Sequence, residues 1–382
     1  MATQPGIHSE GAGRVLQMPP RYAEPATDRS AAKKPKKKLI KRTDVDRSQQ
    51  IRRVVQFAFI AINIWVGIQF YMWVRHYETA GATRLVERPA GVEGWLPIAA
   101  LMNLKFFVLT GTVPALHPAG MFLLIAFLGM SVLLRKSFCS WLCPIGTLSE
   151  YLWKFGRRIF KRNFQIWRWL DIGLRSLKYV LFGLFVYVIA SMTPRAIEEF
   201  LASPYGIIAD VKMMNFFRFM GTTAAVTVLV LVVLSIFIQN FWCRYLCPYG
   251  AMLGLGALFS PTRITRDPEP CIDCAKCAKA CPSRLPVDQL IQIKSAECTA
   301  CLECVAACPA DGALHLALPT GVVNLGVKSR KVQPWAVAAG IAIIFFGLVG
   351  YAKVAGHWNT DVPHEIYMQL VPSAEEASHP GL

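Results

Sequence analysis

Ionisable side chains are scarce in this chain. Asp, Glu, Lys and Arg make up 17% of its 382 residues, well under the roughly 25% of an ordinary globular domain, which excludes a typical soluble protein. The acidic sign is the scarcer one, 24 residues against 41 Lys and Arg, and the net charge is +17. That excess does not describe a nucleic-acid binder, which spreads its basic residues over a polar chain. Here 54% of residues are hydrophobic and the mean hydropathy is +0.38. The first 30 residues have no apolar core, so no secretory signal peptide is expected there. No C-x-x-C-H occurs, so no c-type haem is attached. No nucleophile with its general base can be read either. Twelve cysteines in so long a chain are too few for a small disulfide scaffold. Their spacing has to say what they are for.

Apolar sequence is what the chain has in quantity. A spanning helix needs about 20 apolar residues, with about 17 as the lower limit. The stretches 54–74, 118–134, 179–194, 220–243 and 332–352 carry no charge, and five spans are expected from them. The two short ones extend by snorkelling of the flanking Arg135 and Lys178. A sixth stretch, 95–116, contains Lys105 and is broken by Pro97, Gly111 and Pro114. With five spans, 33 of the 41 Lys and Arg fall on the side of the N-terminus and eight on the other. The positive-inside rule places the 33 in the cytoplasm. A sixth span would export about twenty of them, so 95–116 is expected to be re-entrant or peripheral on the outer side. The run Lys33, Lys34, Lys36, Lys37, Lys38, Lys41 and Arg42 reads as part of a disordered, topology-setting tail. Basic residues alternate with aromatics from Trp153 to Arg175, as in a helix lying in the cytoplasmic interface.

All twelve cysteines fall into motifs. Cys271, Cys274, Cys277, Cys281 and Pro282 spell C-x2-C-x2-C-x3-C-P, and Cys298, Cys301, Cys304, Cys308 and Pro309 repeat it 27 residues on. This is the bacterial two-cluster ferredoxin signature, in which the fourth Cys of each run ligates the other cluster. One [4Fe–4S] cluster should take Cys271, Cys274, Cys277 and Cys308, the other Cys298, Cys301, Cys304 and Cys281. Zinc knuckles use two C-x2-C pairs with a longer spacer instead, and the reducing cytoplasm disfavours disulfides. The small residues between the ligands, such as Ala275, Ala278 and Ala300, leave room for backbone N–H groups to approach cluster sulfurs.

The other four cysteines form a second repeat. Cys139 and Cys143, then Cys243 and Cys247, each spell C-x2-L-C-P-x-G directly after an expected span, with 104 residues between equivalent positions. Sulfurs at i and i+4 share a helix face, and two such pairs side by side offer four thiolates. That suffices for a further iron–sulfur centre or a tetrahedral metal site; a copper(I) site, a redox dithiol and inert cysteines are the alternatives.

Membrane spans, two C-x3-C-P motifs and a following two-cluster ferredoxin module together resemble the membrane polyferredoxins. That family includes the quinol-dehydrogenase subunit of periplasmic nitrate reductase (NapH type) and the C-terminal half of the nitrous oxide reductase regulator (NosR type). The resemblance covers roughly 54–352, and the segments Gly91-Val-Glu-Gly94 and His117-Pro-Ala-Gly120 are also similar to members. It implies electron transfer between the quinone pool, or a cytoplasmic donor, and partner redox proteins of a reductase or oxidase system. The protein would then be an electron carrier or a quinol dehydrogenase-type subunit, not a stand-alone catalyst, in the bacterial inner membrane. A related branch, the cytochrome oxidase accessory proteins (CcoG type), is implicated in copper handling. That implies the alternative of a copper reduction or assembly factor. The regulator type's large extracytoplasmic flavin-binding region has no counterpart among the expected outer loops.

The expected architecture is therefore an α-helical polytopic membrane protein with a small cytoplasmic α+β ferredoxin domain. A basic tail (1–53) precedes the membrane domain (54–261), and the ferredoxin domain (262–320), last span (332–352) and outer tail (353–382) follow. Membrane lipids, redox proteins and quinone are the expected partners; nucleic acid is not. On the outer side His76, His117, His357, His364 and His379 match no known ligand spacing and are expected to be solvated or interfacial. Asn63 and Gln69 inside the first span are expected to bond across helices.

Overall fold

The computed structural model describes residues 40, 42, 46–161, 163–318 and 330–379, and most of them are helical. The lysines of the polybasic run and most of the expected 1–53 tail lie outside the described residues; Arg42, the last of the run, pairs with Asp46 at 2.9 Å. The first helix, α1 (Ser48–Glu78), starts where Asp46 accepts the Ser48 N–H at 2.7 Å. Its 31 residues make a rod of about 46 Å at 1.5 Å per residue. A 3₁₀ turn (Ala90–Trp95) and α2 (Pro97–Thr110) lead to α3 (Pro118–Leu134) and the short α4 (Phe138–Trp141). Then come α5 (Pro144–Phe160), α6 (Arg168–Ser191), α7 (Pro194–Leu201), α8 (Pro204–Ile207), α9 (Ala209–Arg218) and α10 (Thr222–Phe237). A π-helical turn (Trp242–Leu246) precedes α11 (Pro248–Leu258). Proline repeatedly occupies the first helical position, where its missing N–H is not needed and its φ is already helical.

A small α+β segment follows, built on β1 (Arg263–Arg266), α12 (Lys276–Ala280), α13 (Glu303–Ala306), β2 (Leu314–Leu318) and β3 (Arg330–Lys331). The strands form an antiparallel sheet in the order β1-β2-β3, with Ile264 opposite Leu316. The chain closes with α14 (Pro334–Val354) and α15 (His364–Leu370).

Helices stand at all five stretches expected to span. Three of them, α1, α6 and α14, are long and apolar enough to cross a membrane, and α9 with α10 would make a fourth as a pair bent by 80°. The helix α3 has 17 residues, most of them buried, so it forms the centre of the bundle and not its rim. The fourteen-residue α2 is too short to span and stops at left-handed Gly111. Lys105 is tolerated on it because its ammonium donates to Ile189 O and Ala190 O at 2.9 Å, capping the open end of α6.

The basic–aromatic stretch 153–175 is not one interfacial helix. It breaks at left-handed Lys161 and resumes as α6 at Arg168, on which Asp171 pairs with Arg175, and Glu297, from the ferredoxin segment, pairs with Lys178. Asn63 bonds its own helix at Phe59 O, and Gln69 reaches the loop carbonyl of Glu87, so neither crosses to a neighbouring helix as expected. One apolar core runs from Leu124, Phe127 and Met130 on α3 through Trp141 and Leu142 to Ile264, Leu302, Val305 and Leu316. At about 1.5–3 kcal/mol for each such side chain, that continuity anchors the small sheet firmly on the helices.

Candidate functional site

The two long cysteine runs fold into matching loops. Asp273 and Ala275 in the first, and Ala300 and Leu302 in the second, all have left-handed backbone, with φ between 48° and 59°. Each lies two or four residues after the first Cys of its run. Non-glycine residues adopt this conformation at a cost of roughly 1–2 kcal/mol each, and alternating hands turn successive N–H groups inward as an anion-binding nest. All twelve cysteines are free. The Cys308 thiol is in electrostatic reach of Cys271, Cys274 and Cys277, and Cys304 of Cys281, Cys298 and Cys301. The fourth cysteine of each run thus stands with the other run. The Cys281, Cys298, Cys301 and Cys304 group is wholly buried, whereas Cys274 is exposed. Among the described residues no three of His, Cys, Asp and Glu converge on a point that one metal ion could fill. Spread thiolates around an inward-facing nest suit a multi-iron group better than a single zinc, which needs its ligands at about 2.3 Å from one point.

The C-x3-C-P pairs are built differently from the helix-face expectation. Cys139 lies in α4, but Cys143 has extended backbone and is the N-cap of α5. Cys243 lies in the π-helical turn, and Cys247 is the N-cap of α11. Each pair therefore straddles a helix junction, because Pro144 and Pro248 can only begin a helix at that point. Sγ of Cys143 accepts the Gly146 N–H at 3.4 Å, and Sγ of Cys247 the Gly250 N–H at 3.3 Å. The motif C-P-x-G is thus a sulfur-capped helix start, and the positive helix end favours thiolate there.

The glycines differ. A Cβ on Gly146 would lie 2.1 Å from Cys139 O, whereas one on Gly250 would meet nothing nearer than 3.5 Å. Gly146→Ala should therefore displace Cys139, at a cost of about 1–3 kcal/mol, while Gly250→Ala should leave the fold intact. Thermal unfolding of the two purified variants checks this.

All four of these thiols line one cavity of about 1160 Å³. It also touches Cys301 and Thr299 at one end and Arg88 and Gly91 at the other, between walls that include Phe59, Leu123 and Phe345. The first pair is fastened to the second ferredoxin loop: Ser140 Oγ donates to Thr299 O at 2.6 Å and Trp141 Nε1 to Ala300 O at 3.1 Å. The second pair is fastened to α6, where Arg244 and Tyr245 donate to Asp171. Burial pushes the Cys139 thiol up to about 12 and Cys143 to about 11. Deprotonation here needs a cation to replace the proton, as metal binding provides.

Three features were not foreseen. Lys136 is buried with its ammonium facing Cys139, Cys243 and Cys247; burial pulls its pKa down, but Cys139 and Glu297 hold it above the ordinary value. Arg52 grips Glu150 in a two-pronged pair at 2.6 and 2.7 Å and Glu303 at 2.8 Å, tying α1 and α5 to α13. At the far end of α1, Glu93 is fully buried against Arg88 (2.9 Å), Thr360 (2.6 Å), the Gly120 N–H (3.1 Å) and His117 Nδ1 (3.4 Å), and Arg88 also holds Asp210. The only signals for these were a Lys three residues before Cys139 and the family-like G-V-E-G and H-P-A-G segments.

The histidines do not gather into a ligand set. His117 is buried, against expectation, with Nε2 donating to Gly206 O at 2.8 Å. His76 stacks on His364 at 5.9 Å, His379 lies against Phe200 and Tyr205, and His357 is exposed.

A family model described as a 4Fe-4S binding domain matches residues 116–163 and again 220–266, each match enclosing one C-x3-C-P pair. A second, described as a 4Fe-4S dicluster domain, matches 263–309. YccM of Escherichia coli (strain K12), provisionally named as an electron transport protein, is 48% identical over 328 residues, 86% of this chain and 91% of that one. The chain belongs to the membrane polyferredoxin family. More distant relatives of this polyferredoxin are the ferredoxin-type protein NapH of the same strain, 26% identical over 65% of this chain and 82% of its own, and the regulatory protein NosR of Pseudomonas aeruginosa. NosR is 32% identical over 42% of this chain and 22% of its own. No solved structure matches the chain. The polyferredoxin is an iron–sulfur electron-transfer protein of a membrane.

Proposed function

We propose that this polyferredoxin passes single electrons between a redox partner protein and a membrane quinone, using three iron–sulfur sites. Cys271, Cys274, Cys277 and Cys308 hold one [4Fe–4S] cluster, and Cys298, Cys301, Cys304 and Cys281 the second, within the ferredoxin domain 262–320. Cys139, Cys143, Cys243 and Cys247 hold a third centre. When bound, these groups supply one-electron chemistry at low potential. The observation that carries the reading is the cavity, which brings all four membrane-edge thiols to one wall beside Cys301 and continues to Arg88.

The chain's own residues do the positioning. Ser140 and Trp141 fix the third site against the loop of the second, Phe127 and Phe138 pack behind it and exclude water, and Asn63 and Gln69 offer polar groups within an apolar slot fit for a quinone. The exposed Cys274 rim is the point of approach for the protein partner, drawn from a reductase or oxidase system.

Five spans, with the membrane domain at 54–261, the last span at 332–352 and the tails at 1–53 and 353–382, accord with the sorting of 33 basic residues against eight. On that basis the N-terminus and ferredoxin domain face the cytoplasm of a bacterium and the C-terminus faces outward. The rival reading is copper handling by the same four thiols. The match of a 4Fe-4S binding domain model around each of the two cysteine pairs favours the iron centre.

Anaerobic purification with iron and sulfide analysis tests this. The wild type should carry about twelve iron atoms, and Cys143→Ser with Cys247→Ser about eight, with a paramagnetic signal and quinol-driven reduction both lost. Unchanged iron with lost copper binding would sink the relay.

A further inference from the structure

Lys136 carries a buried positive charge whose one nearby carboxylate is distant and shared with a second lysine. Its ammonium is 4.0 Å from Glu297 Oε2, the nearest carboxylate oxygen among the described residues, while Lys178 holds the other oxygen of Glu297 at 2.6 Å. The other buried cations near cysteine are neutralised in place. Arg52, near Cys301, holds Glu150 and Glu303, and Arg244, near Cys281, holds Asp171 at 2.9 Å. An ammonium only partly compensated in the interior is costly, and this one faces the thiols of Cys139, Cys243 and Cys247 in the cavity wall. The remaining sulfur, Cys143, caps a helix N-terminus. Every sulfur of the four-thiol site therefore has a positive neighbour, and Lys136 supplies most of them.

We propose that Lys136 sets the reduction potential of the four-thiolate centre above that of the adjacent ferredoxin site, so that electrons run from Cys301 and its partners toward the membrane. This rests on the reading that Cys139, Cys143, Cys243 and Cys247 hold an iron–sulfur centre. Adding an electron makes a thiolate-bound centre more negative, and a fixed cation inside low-dielectric surroundings favours that reduced state. In the step concerned the ferredoxin site loses one electron and the membrane site gains it; no bond or proton is exchanged. Trp141 and Ser140 hold the two sites together, and Lys136 gives the transfer its direction.

Redox titration of the full protein in detergent, followed by electron paramagnetic resonance, tests the assignment. Lys136→Met should shift the reduction equilibrium of the third centre at least tenfold, or about 59 mV for one electron, to lower potential. Lys136→Arg should restore it, and the two ferredoxin signals should not move. Glu297→Gln should shift the third centre the opposite way, since it frees two cations; this variant also serves if Lys136→Met does not fold. A change of opposite sign is not produced by mere loosening of the fold. The proposal is overturned if iron-replete Lys136→Met and Glu297→Gln both titrate as wild type. It is equally overturned if the wild-type third centre titrates below both ferredoxin centres. Failure of the underlying reading looks different: the Cys143→Ser, Cys247→Ser protein would keep all its iron and show no third signal to lose.

Discussion

Arg52→Met should destabilise the protein by about 3–5 kcal/mol. The guanidinium is fully buried at the foot of α1, in a two-pronged pair with Glu150 and a further bond to Glu303. Methionine fills the space but leaves both carboxylates without it. Lys154 still bonds both, at 2.6 and 2.7 Å, so the lower end of the range is expected. Because this group of charges ties α1 and α5 to α13, the loss should loosen the ferredoxin loops. Thermal unfolding should fall, and the buried Cys301 should become reactive to thiol reagents before global unfolding.

The pH dependence has a definite sign. Burial pushes the Glu150 carboxyl up, but Arg52 and Lys154 outweigh it and hold it down to about 2, against an ordinary value of 4.5. The stabilisation is present above pH 4.5 and lost as pH falls toward 2. Arg52→Met should flatten that acid limb. An unchanged melting temperature would show that the group contributes nothing net.

Glu93→Gln is the second large effect, at about 3 kcal/mol. Burial pushes this carboxyl up, yet Arg88, His117 and Thr360 hold it down to about 2. Asp210 still binds Arg88 after the substitution, so the group left unmatched is His117. Burial lowers the His117 pKa, but the Glu93 carboxylate outweighs it and raises it above 6.5. The Glu93 contribution is lost below pH 4.5, and that of His117 is lost as pH rises through its raised value. The far end of the bundle should therefore be firmest between about pH 4.5 and 6.5. In Glu93→Gln the alkaline part of this dependence should vanish, as followed by denaturant titration at several pH values; a dependence like that of wild type would refute the pairing.

Much of this was legible in sequence because it is local. Prolines 118, 144, 248 and 334 announce helix starts whatever the context, and charge-free runs mark the bundle. The cysteine runs declare an interleaved pair of sites because their spacing is set by the loops that wrap them. What stayed hidden is set by distance along the chain. Nothing in the sequence joins Arg52 to Glu150 and Glu303, 98 and 251 residues away, or Lys178 to Glu297. Their pairing follows from the docking of the small sheet on the helices. The cysteine pairs were half legible: two repeats of four sulfurs could be counted, but the proline's power to end α4 and start α5 between them outweighed simple helical periodicity.

The unequal clearance at Gly146 and Gly250 has a mechanical meaning. One half of the duplicated motif is a fixed jaw, closed against the Cys139 carbonyl. The other is seated on a widened helical turn, and its glycine would keep ordinary contact distances of 3.5 Å or more on gaining a methyl group. Substitution is therefore tolerated unequally by the two halves of the repeat, and the tight half is the one joined to the ferredoxin loop through Ser140 and Trp141.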